Sequence, residues 1–287
     1  SGLLILASLI VLEYKGAKML GVDFTGGTRI SYTYSEQVPV AELEKLLQPI
    51  DPNVRISYKS NPSARDNRKL EILIRDRSGT AESGAFSLND RVTKLLNEKF
   101  PALKAADGQE TTVGGLVGAE TGKASVLAIL LALLGMCIYI SIRFELSFAV
   151  AGMLALLHDV IIAIGLYVAM GRELSLPVVA AVLTVIGYSI NDTIVIFDRI
   201  REDSRLMPEK SFREIINIAI NSTLSRTILT SVTTFLVVVV MFCFGGIVIN
   251  DFVLVMMLGI VIGTYSSIFI ASPLAAMWHR RIGAAKQ

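Results

Sequence analysis

Cysteine, histidine and net charge are all scarce in this chain of 287 residues, and each scarcity removes a class of function. The two cysteines, Cys137 and Cys243, sit inside separate apolar runs, which argues against a disulfide framework. Two scattered histidines, His158 and His279, are too few for a metal site, and no cofactor is expected. A net charge of +2 without a concentrated basic face argues against a nucleic-acid partner. No phosphate-cradling glycine loop or nucleophile motif stands out, so neither an enzyme nor a transporter driven by its own ATP hydrolysis is expected.

Long apolar runs are what the chain has instead. With 53% hydrophobic residues, 18% charged residues and a mean hydropathy of +0.60, it is too apolar for a soluble domain and too charged to lie wholly in a membrane. The two characters are segregated. Glu13 to Lys123 carries 16 Lys or Arg and 15 Asp or Glu, whereas everything after Lys123 carries 11 and 10. Five runs, Ala124 to Ile142, Phe148 to Met170, Leu176 to Phe197, Thr227 to Ile249 and Phe252 to Met277, match the roughly 20 residues that cross a bilayer. Leu3 to Leu12 is shorter and reads as the outer end of a further membrane helix, a better fit than a signal peptide.

The basic residues of short connectors set the orientation. With the N-terminus cytoplasmic, the inner side holds Arg143, Arg199, Arg201, Arg205, Lys210, Arg213, Arg280, Arg281 and Lys286, and the short outer connectors hold only Arg172. The expected organisation is therefore a partial helix over 1–12, an extracytoplasmic domain over 13–122, membrane helices over 123–278 and a cytoplasmic tail over 279–287. Within the membrane part, a cytoplasmic connector over 199–225 starts a capping box at Ser211 and Glu214 and then repeats Phe212, Ile215, Ile216 and Ala219 at helical spacing. An amphipathic helix at the inner interface or a helix merely joining two spans fits that pattern.

The charged domain alternates strand-like and helix-like stretches. Gly27 to Tyr34, Val54 to Tyr58, Leu70 to Arg75 and Glu110 to Val117 alternate as strands, while Val40 to Leu47 and Leu88 to Phe100 carry helical stripes. The order βαββαβ predicts a ferredoxin-like split unit. The fold class is thus an α-helical polytopic membrane protein of six transmembrane helices, the first truncated, with one α+β domain outside the cytoplasm.

Ionisable residues inside apolar runs carry the functional reading. A carboxylate or guanidinium at membrane depth costs roughly 2.5 to 3.5 kcal/mol unless it pairs or meets water. Asp192 interrupts the third full span and Arg226 stands at the head of the fourth. Thr184, Gly187, Tyr188, Asn191, Asp192, Val195 and Asp198 recur every three or four residues and share a helix face, as do Ser222, Ser225, Arg226, Leu229, Thr230 and Thr233. His158 and Asp159 break the second span near its middle. A carboxyl in low dielectric favours its protonated form and a neighbouring guanidinium favours its charged form. Making and breaking a contact between Asp192 and Arg226 would therefore capture and release a proton, with Asn191, Ser189, His158, Asp159 and Thr230 as the supporting polar network. Plainer readings stand beside this one: Asp192 as hydrogen-bonding glue, Arg226 snorkelling to headgroups, and His158 with Asp159 as a buried structural pair. Gly259 and Gly263, followed by Ser266 and Ser267, offer a small-residue face for close helix packing. Gly26-Gly27 and Gly114-Gly115 read as backbone turns.

The motifs GVDFTGGT (Gly21 to Thr28), FELSFAVAGMLALLHDV (Phe144 to Val160), GYSINDTIVIFDRIRE (Gly187 to Glu202) and TLSRTILTS (Thr223 to Ser231) resemble those of the SecD–SecF export factors, in the RND superfamily, and match the SecF half. The resemblance implies a six-helix membrane half in the bacterial inner membrane, partnered by SecD or a fused SecD half. It also implies action with the SecYEG channel and use of the proton motive force to draw a translocating polypeptide outward. Asp192 matches the family's proton-linked aspartate and Arg226 its associated arginine. The short first run leaves open a free subunit or the C-terminal half of a fused polypeptide. Two alternatives remain: half of an RND-type small-molecule efflux transporter, and a scaffold that stabilises a translocon without transporting.

Overall fold

The computed structural model describes residues 1–52, 54–60, 68–74, 88–103, 106–144 and 146–277. The tail expected over 279–287 and Arg75 of the third expected strand lie outside them. Two compact units emerge, one of Leu20–Ser125 with Phe242–Asn250, the other of Ser1–Met19, Val126–Met241 and Asp251–Gln287.

The first unit is α+β. After a single turn, α2 (Val22–Thr25), come β1 (Gly27–Thr33), α3 (Val40–Leu47), β2 (Arg55–Ser60), β3 (Arg68–Ile74), α4 (Leu88–Lys99) and β4 (Ala106–Val113). The strands form one antiparallel sheet in the order β2-β3-β1-β4. Period-two alternation explains the core: Thr28, Ile30 and Tyr32 of β1 stand opposite Ile74, Ile72 and Leu70 of β3. Apart from Thr28, these residues join Leu43 and Leu47 of α3 and Val92 and Leu96 of α4 in a single apolar cluster. The fourth strand begins and ends earlier than its pattern suggests, at Ala106 and Val113, and Gly115 already opens a helix. Close backbone approach accounts for that ending. A side chain at Gly26, whose φ is +71°, would stand 2.5 Å from the Gly115 Cα, and one at Gly118 would stand 2.7 Å from the Gly26 nitrogen. Only glycines allow this crossing.

The second unit is helical. It comprises α1 (Gly2–Lys15), which a 3₁₀ turn (Gly16–Met19) follows, and the greater part of α5 (Gly115–Arg143), α6 (Leu146–Ala169), α7 (Leu176–Leu206), α8 (Phe212–Phe244) and α9 (Ile247–Ser266). Among the described residues, five helices are long and apolar enough to cross a membrane; α1, with 14 residues, is shorter and packs along α6. Residues 207–211 are the only break between α7 and α8, so the expected 199–225 connector is mostly continuous helix. Arg199 pairs with Glu202 (2.9 Å) and Asp203 (3.1 Å), supporting another turn and a half of α7 past Phe197. The Ser211–Glu214 capping box forms as expected, with the Ser211 N–H donating to the Glu214 carboxylate at 2.9 Å. It caps the membrane-length α8 itself. The same helix stops at Phe244 rather than running to Ile249, because Gly246 takes φ +79°.

Candidate functional site

Close packing of α9 on α7 positions the polar groups. A methyl on Gly259 would collide with the Val185 side chain, and one on Gly263 would meet Cβ of Ser189 at 3.0 Å, so the small-residue face works as the spacing suggests. Past it the helix widens into a π-helical turn, Ser267–Ala271, two residues before Pro273. Pro273 has no N–H for the regular ladder, and the Ser272 hydroxyl donates to the Ser267 carbonyl at 3.0 Å.

Two hydrogen-bonded groups result. In the first, Asp159 of α6 is completely buried and is held from three directions. The hydroxyls of Ser189 on α7 and Ser266 on α9 donate to its Oδ2 at 2.5 and 2.6 Å, and Nδ1 of His158 lies 2.8 Å from its Oδ1. The other ring nitrogen of His158 is buried without a hydrogen-bond partner among the described residues. In the second group, the Thr264 hydroxyl of α9 donates to Ser231 of α8 at 2.8 Å, and Ser231 donates to Oδ2 of the buried Asp192 at 3.2 Å. Asp192 and Ser189 are three residues apart on one face of α7, which joins the two groups.

Not every expected residue enters. Asn191 is exposed in the isolated chain, because it lies about 100° around α7 from Asp192. Thr230 is exposed as well and its hydroxyl returns to the carbonyls of Arg226 and Thr227. Arg226 is exposed and makes no ion pair with Asp192, although it is close enough to act on it electrostatically. It lines a cleft of about 680 Å³ together with Tyr139, Asp198, Glu202, Ser222 and Thr223.

The face of α8 that turns inward is one residue removed from the expected stripe. Thr223, Thr227 and Ser231, spaced by four, are buried, while Ser222, Ser225, Arg226 and Leu229 are exposed. Both stripes have hydroxyls at helical spacing, and Arg226 drew attention to the wrong one. Thr227 buries its hydroxyl without a hydrogen-bond partner among the described residues. Ser231, Thr264 and Ser266 are the functional candidates that sequence reasoning missed, since a lone hydroxyl in an apolar span carries no sign of the acid it faces. At the other end of the bundle, the loop residue Arg172 pairs with Asp251 of α9 at 2.9 Å. No cluster of metal-ligating side chains occurs among the described residues.

Comparison with known proteins places this arrangement. The protein translocase subunit SecF of Rhodothermus marinus is 38% identical over 293 residues, covering 100% of this chain and 92% of that protein. Its counterpart in Calditerrivibrio nitroreducens is 43% identical over 96% of this chain and 88% of its own length. The crystal structure of SecDF, a translocon-associated membrane protein from Thermus thermophilus, superposes with a TM-score of 0.82 at 35% identity over 97% of this chain, which spans 37% of that longer polypeptide. The family described as protein export membrane protein SecD/SecF, C-terminal, matches residues 92–281, the stretch that holds Asp159 and Asp192. With the fold and near full-length identity in agreement, this chain belongs to the SecD/SecF family of protein-export membrane proteins.

Proposed function

We propose that the chain acts as a SecF-like subunit of the protein-translocation machinery, in which Asp192 takes up and releases a proton as the helical bundle changes its packing. The observation that carries this reading is the contrast between Asp159 and Asp192. Asp159 has three partners, whereas Asp192, among the described residues, has one direct donor, Ser231. A carboxyl with a single hydroxyl donor loses least when its protonation changes. Arg226, in electrostatic range and beside a cleft, supplies a charge that approaches or withdraws. The inward stripe of Thr223, Thr227 and Ser231 provides the route between cleft and acid, its hydroxyls about 6 Å apart along the axis, a spacing that a water entering only during the switch would bridge.

The remaining parts follow the same reading. Helix α1 is the sixth membrane helix, supported by its packing on α6, where Ser8 is buried against Gly165. The α+β unit is ferredoxin-like, supported by the strand order, and lies outside the cytoplasm, moving as a lever when the bundle switches. Membrane helices extend over 123–278 after a domain over 13–122. The chain works in the inner membrane with SecD or a fused SecD half, the SecYEG channel and the translocating polypeptide, and the apolar flanks of α5 and α8, each only 17% buried, face lipid and partner. One charge moved through 100 mV releases about 2.3 kcal/mol, enough to shift a two-state equilibrium about fiftyfold.

Asp192→Asn tests the reading, because asparagine keeps the shape and hydrogen bond but cannot carry the proton. In inverted membrane vesicles the variant is expected to lose the gradient-dependent part of export while keeping the ATP-driven part. Export at the wild-type level, at equal abundance, would instead favour the scaffold, and dye efflux without effect on export would favour the small-molecule transporter.

A further inference from the structure

A second cleft, of about 560 Å³, lies where α5, α6 and the link between α7 and α8 meet. Its charges are all of one sign among the described residues: Arg143, Arg201, Arg205 and Lys210 line it, and no acid does. The neighbouring cleft that holds Arg226 is different, since Asp198 and Glu202 balance its arginines. Part of the positive cluster is held in place. The Arg143 guanidinium lies 5.4 Å from the centre of the Phe144 ring and pairs with Asp198 at 3.4 Å, and Arg201 donates to the Arg143 carbonyl at 3.1 Å. Phe144 in turn packs against Phe148 and Phe197. Arg205 and Lys210 are exposed and make no ion pair among the described residues, and Glu214, which lies in electrostatic range of Lys210, accepts from the Ser211 hydroxyl at 2.7 Å.

We propose that this cleft binds the phosphate headgroup of an anionic phospholipid. Apolar surface distinguishes a lipid from other anions. Ile142 lines the cleft and is 82% exposed. With Leu134 and Ile138, also exposed, it forms an i, i+4 ridge running from the cleft along the membrane-length α5. The headgroup meets the cations and one acyl chain lies along the ridge, an arrangement that free phosphate or an acidic peptide would leave half empty. Basic pockets among helix ends at a cytoplasmic membrane face suit such headgroups. This inference rests on the reading that these helices span a membrane, and on nothing about protons or export.

Native mass spectrometry of the full chain, released from phosphatidylglycerol or phosphatidylcholine nanodiscs, reads the retained lipid directly. The wild type is expected to keep phosphatidylglycerol and to lose phosphatidylcholine. The double variant R205Q/K210Q, altered at two exposed positions, is expected to retain about twenty-five-fold less phosphatidylglycerol, since each surface cation contributes on the order of a fivefold effect. Arg213→Gln, exposed and outside the cleft, retains it fully. Equal retention by wild type and double variant, or equal retention of both lipids, would overturn the proposal. So would complete displacement by millimolar inorganic phosphate, which would assign the cleft to a free anion. Because the readout is lipid, a chain that proved to be a passive scaffold would still retain it, and a failure here would leave the Asp192 reading intact.

Discussion

The hydroxyl of Ser266 donates to Oδ2 of Asp159 across 2.6 Å, joining residues 107 positions apart in the chain. Ser189 donates to the same oxygen, so one carboxylate ties α6, α7 and α9 together. Interhelical hydrogen bonds are worth most when nothing else can satisfy the groups. Asp159→Ala would strand two buried hydroxyls and His158, and each unsatisfied buried group costs about 1–3 kcal/mol. The variant is expected to lose about 2–4 kcal/mol of stability, seen as a lower thermal midpoint in detergent, while Asp159→Asn, which still accepts hydrogen bonds, loses less. Equal midpoints for alanine and wild type would remove Asp159 from the helix-packing account.

Gly259 allows α9 to lie against Val185, and the pair offers a compensation test. Gly259→Ala drives a methyl into the Val185 side chain and is expected to cost about 1–3 kcal/mol. Adding Val185→Ala opens the space again. The double variant should be more stable than the sum of the two single changes by about 0.5 kcal/mol or more, measured by denaturation in mild detergent. Strict additivity would mean that the two residues are not in contact.

In the α+β unit, Tyr32 is fully buried, its hydroxyl donating to Asn89 Oδ1 at 2.9 Å and accepting from Thr93 at 3.1 Å. Burial, partly offset by the Thr93 hydrogen bond, pushes its phenol from 10.0 up to about 12. The folded state therefore holds this proton more tightly than the unfolded chain does. The corresponding stability is fully present below pH 10.0 and is lost as pH climbs through about 12. Wild type should lose about 2–3 kcal/mol more than Tyr32→Phe across that window, as read by denaturant titration at each pH. Parallel curves would show that the phenol ionises as easily folded as unfolded.

Much of this architecture was legible because periodicity reports burial. Val40–Leu47 appears as a helix with the expected ends, and the strands around it follow their two-residue alternation. Boundaries were missed where a local contact outweighed composition. The crossing of Gly26 over Gly115 ends β4 early, ion pairs at Arg199 lengthen α7, and Gly246 in a left-handed conformation stops α8. In the site, an acid in an apolar run is conspicuous, so Asp192 and Asp159 could be found from the sequence. Their partners Ser231, Thr264 and Ser266 could not be, because a lone hydroxyl satisfies its own helix as readily as a neighbour. Thr264 stands between the two, its hydroxyl 2.7 Å from the Ile260 carbonyl and 2.8 Å from Ser231, with one proton to give to either.

Thr227 separates packing from proton transfer most sharply. Its side chain is 1% exposed and its hydroxyl has no hydrogen-bond partner among the described residues, so as a structural element it is a defect: an unpaired buried hydroxyl costs on the order of 1–3 kcal/mol. Thr227→Val keeps the shape and removes the defect, and is expected to raise the thermal midpoint by the equivalent of about 1 kcal/mol. If the hydroxyl carries protons between the cleft and Ser231, the same variant loses the gradient-dependent part of export severalfold, whereas Thr227→Ser retains it. A stability gain with a functional loss is the pattern of a residue kept for its chemistry. Should valine export as well as threonine under a proton gradient, the Thr223–Thr227–Ser231 stripe is a packing surface, and protons reach Asp192 by another path.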